Sequence, residues 1–82
     1  MDQKIIDRNF TYHPPKGNQP EKYAAIRDQA KILAEVIADL CPDSREKSLA
    51  MTNLEEAVMW ANAAIARHER QPELPAKQKD LP

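Results

Sequence analysis

The chain has 82 residues, a formal net charge of -1 and a sequence pI of about 6.1, so it offers one small domain and lacks the basic footprint of a general DNA or RNA binder. Its single cysteine, Cys41, rules out an intramolecular disulfide framework and a cysteine-rich zinc site, in keeping with a reducing cytosol. No stretch approaches the roughly 20 apolar residues of a membrane span, and the N-terminus, with Asp2, Lys4, Asp7 and Arg8 around Ile5 and Ile6, is not a secretory signal.

Residues 1–19 read as a leader. Ile5 and Ile6 fit one short helical turn. Phe10-Thr11-Tyr12-His13-Pro14-Pro15-Lys16-Gly17 follows, where the Pro-Pro pair demands extended or polyproline-like backbone and Gly17, the only glycine, supplies a turn. The first long helix starts at Asn18 or Gln19. Asn18 is the expected N-cap, Glu21 lies three residues on as in a capping box, and Pro20 is tolerated in the first turn. Tyr23, Ile26, Ala30, Leu33, Ile37 and Leu40 alternate in threes and fours and form one apolar stripe, which Ile32 and Val36 widen.

Pro42 interrupts the chain within Leu40-Cys41-Pro42-Asp43-Ser44. Asp43 or Ser44 caps a second helix, with Glu46 three residues after Asp43. Met51, Leu54, Val58, Ala61 and Ile65 repeat the stripe, while Met59, Trp60 and Ala63 fall on other faces. Pro72 limits this helix to about Arg70 or Gln71. Residues 72–82 hold three prolines and two lysines and read as a poorly ordered tail. The expected fold is therefore all-α: an antiparallel helical hairpin over residues 20–71, preceded by a short leader. A hairpin alone cannot cover apolar residues on several faces, so assembly into a compact homo-oligomer is expected, with Trp60, Met59, Val58 and Ile65 at the interface.

A short joint makes the two helices antiparallel. The end of the second, with Asn62, Arg67, His68 and Arg70, then returns beside Tyr12, His13, Lys16, Lys22 and Arg27. Aromatic rings and cations converge there. Tyr12 and His13 suit stacking on a base, and Arg27, Arg67 or Lys22 suit phosphate, which arginine holds bidentately. Simpler readings stand beside these. Trp60 reads as an interface or core anchor, Tyr23 as core, Lys31 and Arg45 as solvated charges, and Arg67 as a cation placed to suit the helix dipole. Glu55 and Glu56 point about 100° apart and read as surface or ion-pair partners rather than a catalytic pair. Catalysis has little support: Cys41 lies at the turn, far from His13 and His68. No metal motif or glycine-rich phosphate loop occurs.

Four segments carry a family resemblance: Phe10-Thr11-Tyr12-His13-Pro14-Pro15; Tyr23-Ala24-Ala25-Ile26-Arg27; Cys41-Pro42-Asp43-Ser44-Arg45-Glu46; and Leu54-Glu55-Glu56-Ala57-Val58-Met59-Trp60-Ala61-Asn62-Ala63-Ala64-Ile65-Ala66-Arg67. In this order, over about residues 8–70, they resemble the phage anti-CBASS cyclic-nucleotide sponges, whose helical hairpin is shared with a phage anti-Thoeris sponge. The anti-Thoeris relatives carry an additional β-rich domain for which this chain has no room. The resemblance implies a protein of the infected bacterial host's cytoplasm that sequesters cyclic dinucleotides such as cyclic GMP–AMP, and in some members cyclic trinucleotides, without cleaving them and without a cofactor. It implies a hexamer with dinucleotide pockets between protomers. It gives Tyr12 the base-stacking role, with His13 and Pro14 beside it in the leader. It gives Arg27, with Lys22 nearby, the phosphate role, and it makes Arg67 the candidate trinucleotide contact; Asn62 joins the expected ligand-binding residues. The rivals are a helical interaction protein that binds no nucleotide and an enzyme that degrades the messenger.

Overall fold

The two apolar stripes become two long helices that pack on each other. The computed structural model describes residues 1–69, as α1 (Gln3–Phe10), α2 (Gln19–Leu40) and α3 (Arg45–His68), with no strand among the described residues. The start of α2 meets the end of α3 through Gln19 and Ile65, and the end of α2 meets the start of α3 through Ala38 and Lys47. The hairpin is antiparallel, as the short joint requires. Arg70 and the Pro-rich tail, residues 72–82, lie outside the described residues.

The leader contains more helix than one turn. Asp2 caps α1 by accepting from the Lys4 N–H at 3.0 Å, and the Gln3 amide donates to Asp7 one turn on at 2.8 Å. Ile5 and Ile6 are half-buried, and the helix runs for 8 residues. Thr11 then turns extended, as the coming Pro-Pro pair demands.

At the start of α2 the expected capping box does not form. Asn18 sits at φ -93°, ψ 14°, already turned towards helix, and its side chain makes no cap hydrogen bond. A reciprocal pair two residues earlier takes its place. Gln19 donates its backbone N–H to the Lys16 carbonyl at 2.9 Å, and its side-chain Oε1 accepts the Lys16 N–H at 3.0 Å. Gly17, at φ 54°, makes the bend between them in the left-handed region that a Cβ disfavours.

Ser44 is the N-cap of α3. Its extended backbone lets Oγ accept from the Lys47 N–H at 3.1 Å. Lys47 also reaches Asp43 and the Ala38 carbonyl, both at 2.9 Å, which closes the joint. Helix α3 ends at His68, with Glu69 extended, two residues short of the boundary set by Pro72.

Packing between the long helices is thin. Tyr23, Ile26, Ala30 and Ile37 are half-buried against Leu54, Val58, Ala61 and Ile65, and among the described residues no apolar side chain is fully buried. Ile32, Leu33, Val36, Leu40, Leu49, Met59 and Trp60 are exposed. Tyr23 thus shares in this half-buried contact, whereas Trp60 lies outside it.

Candidate functional site

The open end of the hairpin is where distant parts of the chain meet. Leader, α2 and α3 are joined there by contacts spanning more than forty residues: Gln19 Nε2 donates to the Ile65 carbonyl at 3.3 Å, and Lys22 forms an ion pair with Glu69 just past α3. The leader itself is tied back to α1. His13 Nε2 lies 2.7 Å from the Arg8 carbonyl. A carbonyl only accepts, so Nε2 carries the hydrogen, and in the neutral ring Nδ1 is left as an acceptor. This bond also satisfies one of the orphan carbonyls at the end of α1.

Between leader and α3 lies an open cleft of about 430 Å³. Tyr12 and His13 form its leader side; Asn62 and Arg67, with Ala63 and Ala66, form its α3 side. Tyr12 is 80% exposed, so its ring is available to a ligand. The small alanines leave room that larger side chains would fill. Among the described residues Arg67 is the one full positive charge on the wall and no carboxylate lines it, which suits an anion. Asn62 adds an unmet demand: its Oδ1 is shielded from solvent and has no hydrogen-bond partner. Such a group carries a desolvation penalty until a donor arrives.

Four of the expected ligand residues, Tyr12, His13, Asn62 and Arg67, are thus brought to one cleft. Three are not. Pro14 is exposed in the leader and outside the wall. Lys22 is engaged by Glu69. Arg27 is exposed on α2, one turn beyond Tyr23 and away from the wall. Of the expected interface residues, Trp60 is 64% exposed beside a smaller hollow of about 190 Å³ shared with Arg67 and His68. Val58 flanks an apolar groove between α2 and α3 with Ile26 and Leu54. Ile65 is half-buried. Met59, equally exposed, also lines the main cleft.

The periodicity of α2 points Tyr23 to the helix contact, yet Tyr23 also lines the cleft, with Asn9 and Thr11. Gln19 stands behind the cleft rather than on its wall, and its place three residues after Lys16 is the spacing at which a Gln side chain reaches back to a backbone N–H.

The turn end holds no comparable arrangement. Cys41 is exposed there, at the opposite end from His13 and His68. Among the described residues no three metal-ligating side chains cluster, and no helix is long and apolar enough to cross a membrane. At the turn, the hydrogen bond from Lys47, reinforced by its charge, holds the Asp43 carboxyl below its ordinary value.

No curated protein and no solved structure matches this chain. A family model does. It matches residues 1–66, so it takes in α1, the whole leader and α2, and stops just short of Arg67. That model is described as the Acb2/Tad1 hairpin domain, and because it spans 66 of the 82 residues the chain belongs to that family, the family of the phage anti-CBASS and anti-Thoeris sponges.

Proposed function

We propose that this protein is a phage anti-CBASS sponge, which binds cyclic oligonucleotide messengers in the infected bacterial host's cytoplasm and withholds them from the immune effector. The observation that carries the reading is the cleft itself. Among the described residues it joins an exposed aromatic ring, an arginine, an unpartnered amide oxygen and no carboxylate, within a chain of the sponge family. In this reading Tyr12 stacks on a base, with His13 and Pro14 shaping the leader beside it. Arg27 takes a phosphate, and Lys22 joins it once released from Glu69. Asn62 meets the same ligand from α3, and Arg67, beside it, is also the candidate contact for a cyclic trinucleotide. No step of chemistry is needed: a sponge works by affinity alone.

The volume of the cleft supports binding between copies. At about 430 Å³ it lies near the low end of ligand pockets, roughly 300–1,000 Å³, and its mouth is open. A second protomer would close it and would bring an exposed Arg27 to a neighbour's cleft. The same association would cover Trp60, Met59 and the groove beside Val58 and Ile65. We take the assembly to be a hexamer, as the family resemblance implies.

The test is calorimetric titration with cyclic GMP–AMP, followed by chromatography of the ligand released on heating. Tight binding with intact ligand recovered is the expected result. Altered ligand would make the protein an enzyme. Failure to bind any member of a cyclic di- and trinucleotide panel would leave a helical interaction protein.

A further inference from the structure

The most buried residue of the described chain is not a leucine but an amide. Gln19 is 4% exposed, in a hairpin with no fully buried apolar side chain. Both ends of that amide are used, and by different segments. Oε1 accepts the Lys16 N–H at the end of the leader, and Nε2 donates to the Ile65 carbonyl in the last turns of α3. The Ile65 carbonyl also accepts the Glu69 N–H at 3.2 Å, using its second lone pair.

We propose that Gln19 is the positioning residue of the cleft: through its two hydrogen bonds it sets the distance between Tyr12 on the leader and Asn62 and Arg67 on α3. This rests on the reading of the cleft as a nucleotide site. Gln19 does not line the cleft and so acts through others. On one side, only His13-Pro14-Pro15 separates Lys16 from Tyr12. The prolines fix φ near -65°, and His13 is tied to the Arg8 carbonyl, so movement at Lys16 is carried to Tyr12 rather than absorbed. On the other side, Ile65 lies three residues after Asn62 and two before Arg67, within the helical turn that forms the opposite wall. An apolar residue would fill the same space, but it would leave the Lys16 N–H unpaired and would hold neither wall to the other.

Gln19→Glu provides the test, because its two protonation states differ in the feature that matters. The neutral carboxyl keeps the shape and both bonds: its carbonyl oxygen accepts from Lys16 and its O–H donates to Ile65. The carboxylate has no donor and sets a negative oxygen against the Ile65 carbonyl. The charged groups close to it in sequence or through its partners are Lys16 in the leader, Glu21 and Lys22 on α2, the latter paired with Glu69, and Arg67 and His68, which follow Ile65 on α3. The lysines and Arg67 favour the ionised form, whereas burial, the Ile65 carbonyl and Glu69 favour the neutral one. Any pH dependence of binding already present in the wild type is removed by comparison with it.

Binding of cyclic GMP–AMP is measured at about pH 8 and at steps down to about pH 4, which spans the ordinary carboxyl range and the region above it, for wild type, Gln19→Glu and Gln19→Ala, with helicity followed by circular dichroism. The loss of one well-placed hydrogen bond predicts affinity about tenfold weaker for Gln19→Glu at the upper pH, recovery to wild type at the lower, and Gln19→Ala weak at both. Wild-type affinity in Gln19→Glu at the upper pH, or no recovery at the lower, would overturn the proposal. If the wild type binds no cyclic nucleotide, the nucleotide reading fails by itself, and Gln19 is judged by the hydrogen-exchange protection factor of the Lys16 amide. Protection lost in Gln19→Glu at the upper pH and regained at the lower supports the pin; unchanged protection overturns it.

Discussion

The two ends of the hairpin are built in opposite ways. At the turn end every bond is local. Ser44 caps its own helix, Asp43 pairs with Lys47 four residues on, and Lys47 reaches Ala38 nine residues back. At the open end the bonds join residues 46 and 47 positions apart, Gln19 to Ile65 and Lys22 to Glu69. The shielded polar atoms left without partners among the described residues, Arg8 Nε, Asn62 Oδ1 and Glu69 Oε1, all lie at the open end. The turn end is exposed to water and closed by local bonds, whereas the open end shields polar atoms that have no partner among the described residues. A locally closed joint stabilises the fold. Unmet acceptors and donors beside an open cleft are what a ligand can satisfy.

Substitutions at the two ends should therefore separate affinity from stability. The largest effect is expected from Arg27→Glu, which replaces a charge-assisted phosphate bond by repulsion. Affinity for cyclic GMP–AMP should fall by about a hundredfold or more, and wild-type affinity in calorimetry would remove Arg27 from the site. Trp60→Ala should weaken assembly first, by about 2 kcal/mol or more if Trp60 anchors the interface; an unchanged sedimentation profile would refute that role. Tyr12→Ala should cost roughly ten- to hundredfold in dinucleotide affinity, the scale of one base stacked on an aromatic ring, while the oligomer stays intact. Loss of assembly instead would make Tyr12 structural.

The turn end should respond the other way round. Ser44→Ala should lower stability by about 1 kcal/mol through loss of the N-cap and leave cyclic dinucleotide affinity unchanged. A comparable loss of affinity would show that the two ends are coupled and blur the contrast drawn here. The smallest effect concerns Asp43. Lys47 holds its carboxyl below the ordinary value of 3.8, so the native state favours the ionised form. That contribution is present above the unfolded value and is lost as the pH falls through the lower, folded one. Denaturation followed across this acid range should show a small loss in the wild type and none in Lys47→Met; identical acid profiles would dismiss the pair as a contributor.

Legibility followed the same division. Ser44 as a cap, Pro42 as a break and the three-and-four spacing of Leu54, Val58 and Ala61 are local signals, and each was readable from neighbours in sequence. Asn18 shows the limit. Its residue type and its distance from Glu21 predict a capping box, but the backbone turns at Gly17 and gives the reciprocal bond to Lys16 and Gln19. Tyr12, His13, Asn62 and Arg67 were placed together by reasoning from an antiparallel hairpin, and the structure brings them to one cleft. Lys22 was readable as a cation but not as the partner of Glu69, because nothing local links residues 47 apart.

The sequence by itself determined the two long helices and the turn, since capping, proline breaks and apolar periodicity act over a few residues; membership of the family rests on the match over residues 1–66. Only the tertiary structure decided which polar groups are spent and which remain open. Gln19 is consumed between Lys16 and Ile65, Lys22 is held by Glu69, and Asn62 is left with an unpaired oxygen. That outcome depends on where two antiparallel helices bring their distant ends, and the pairing of polar groups across such an end is fixed by distance in space rather than by order along the chain.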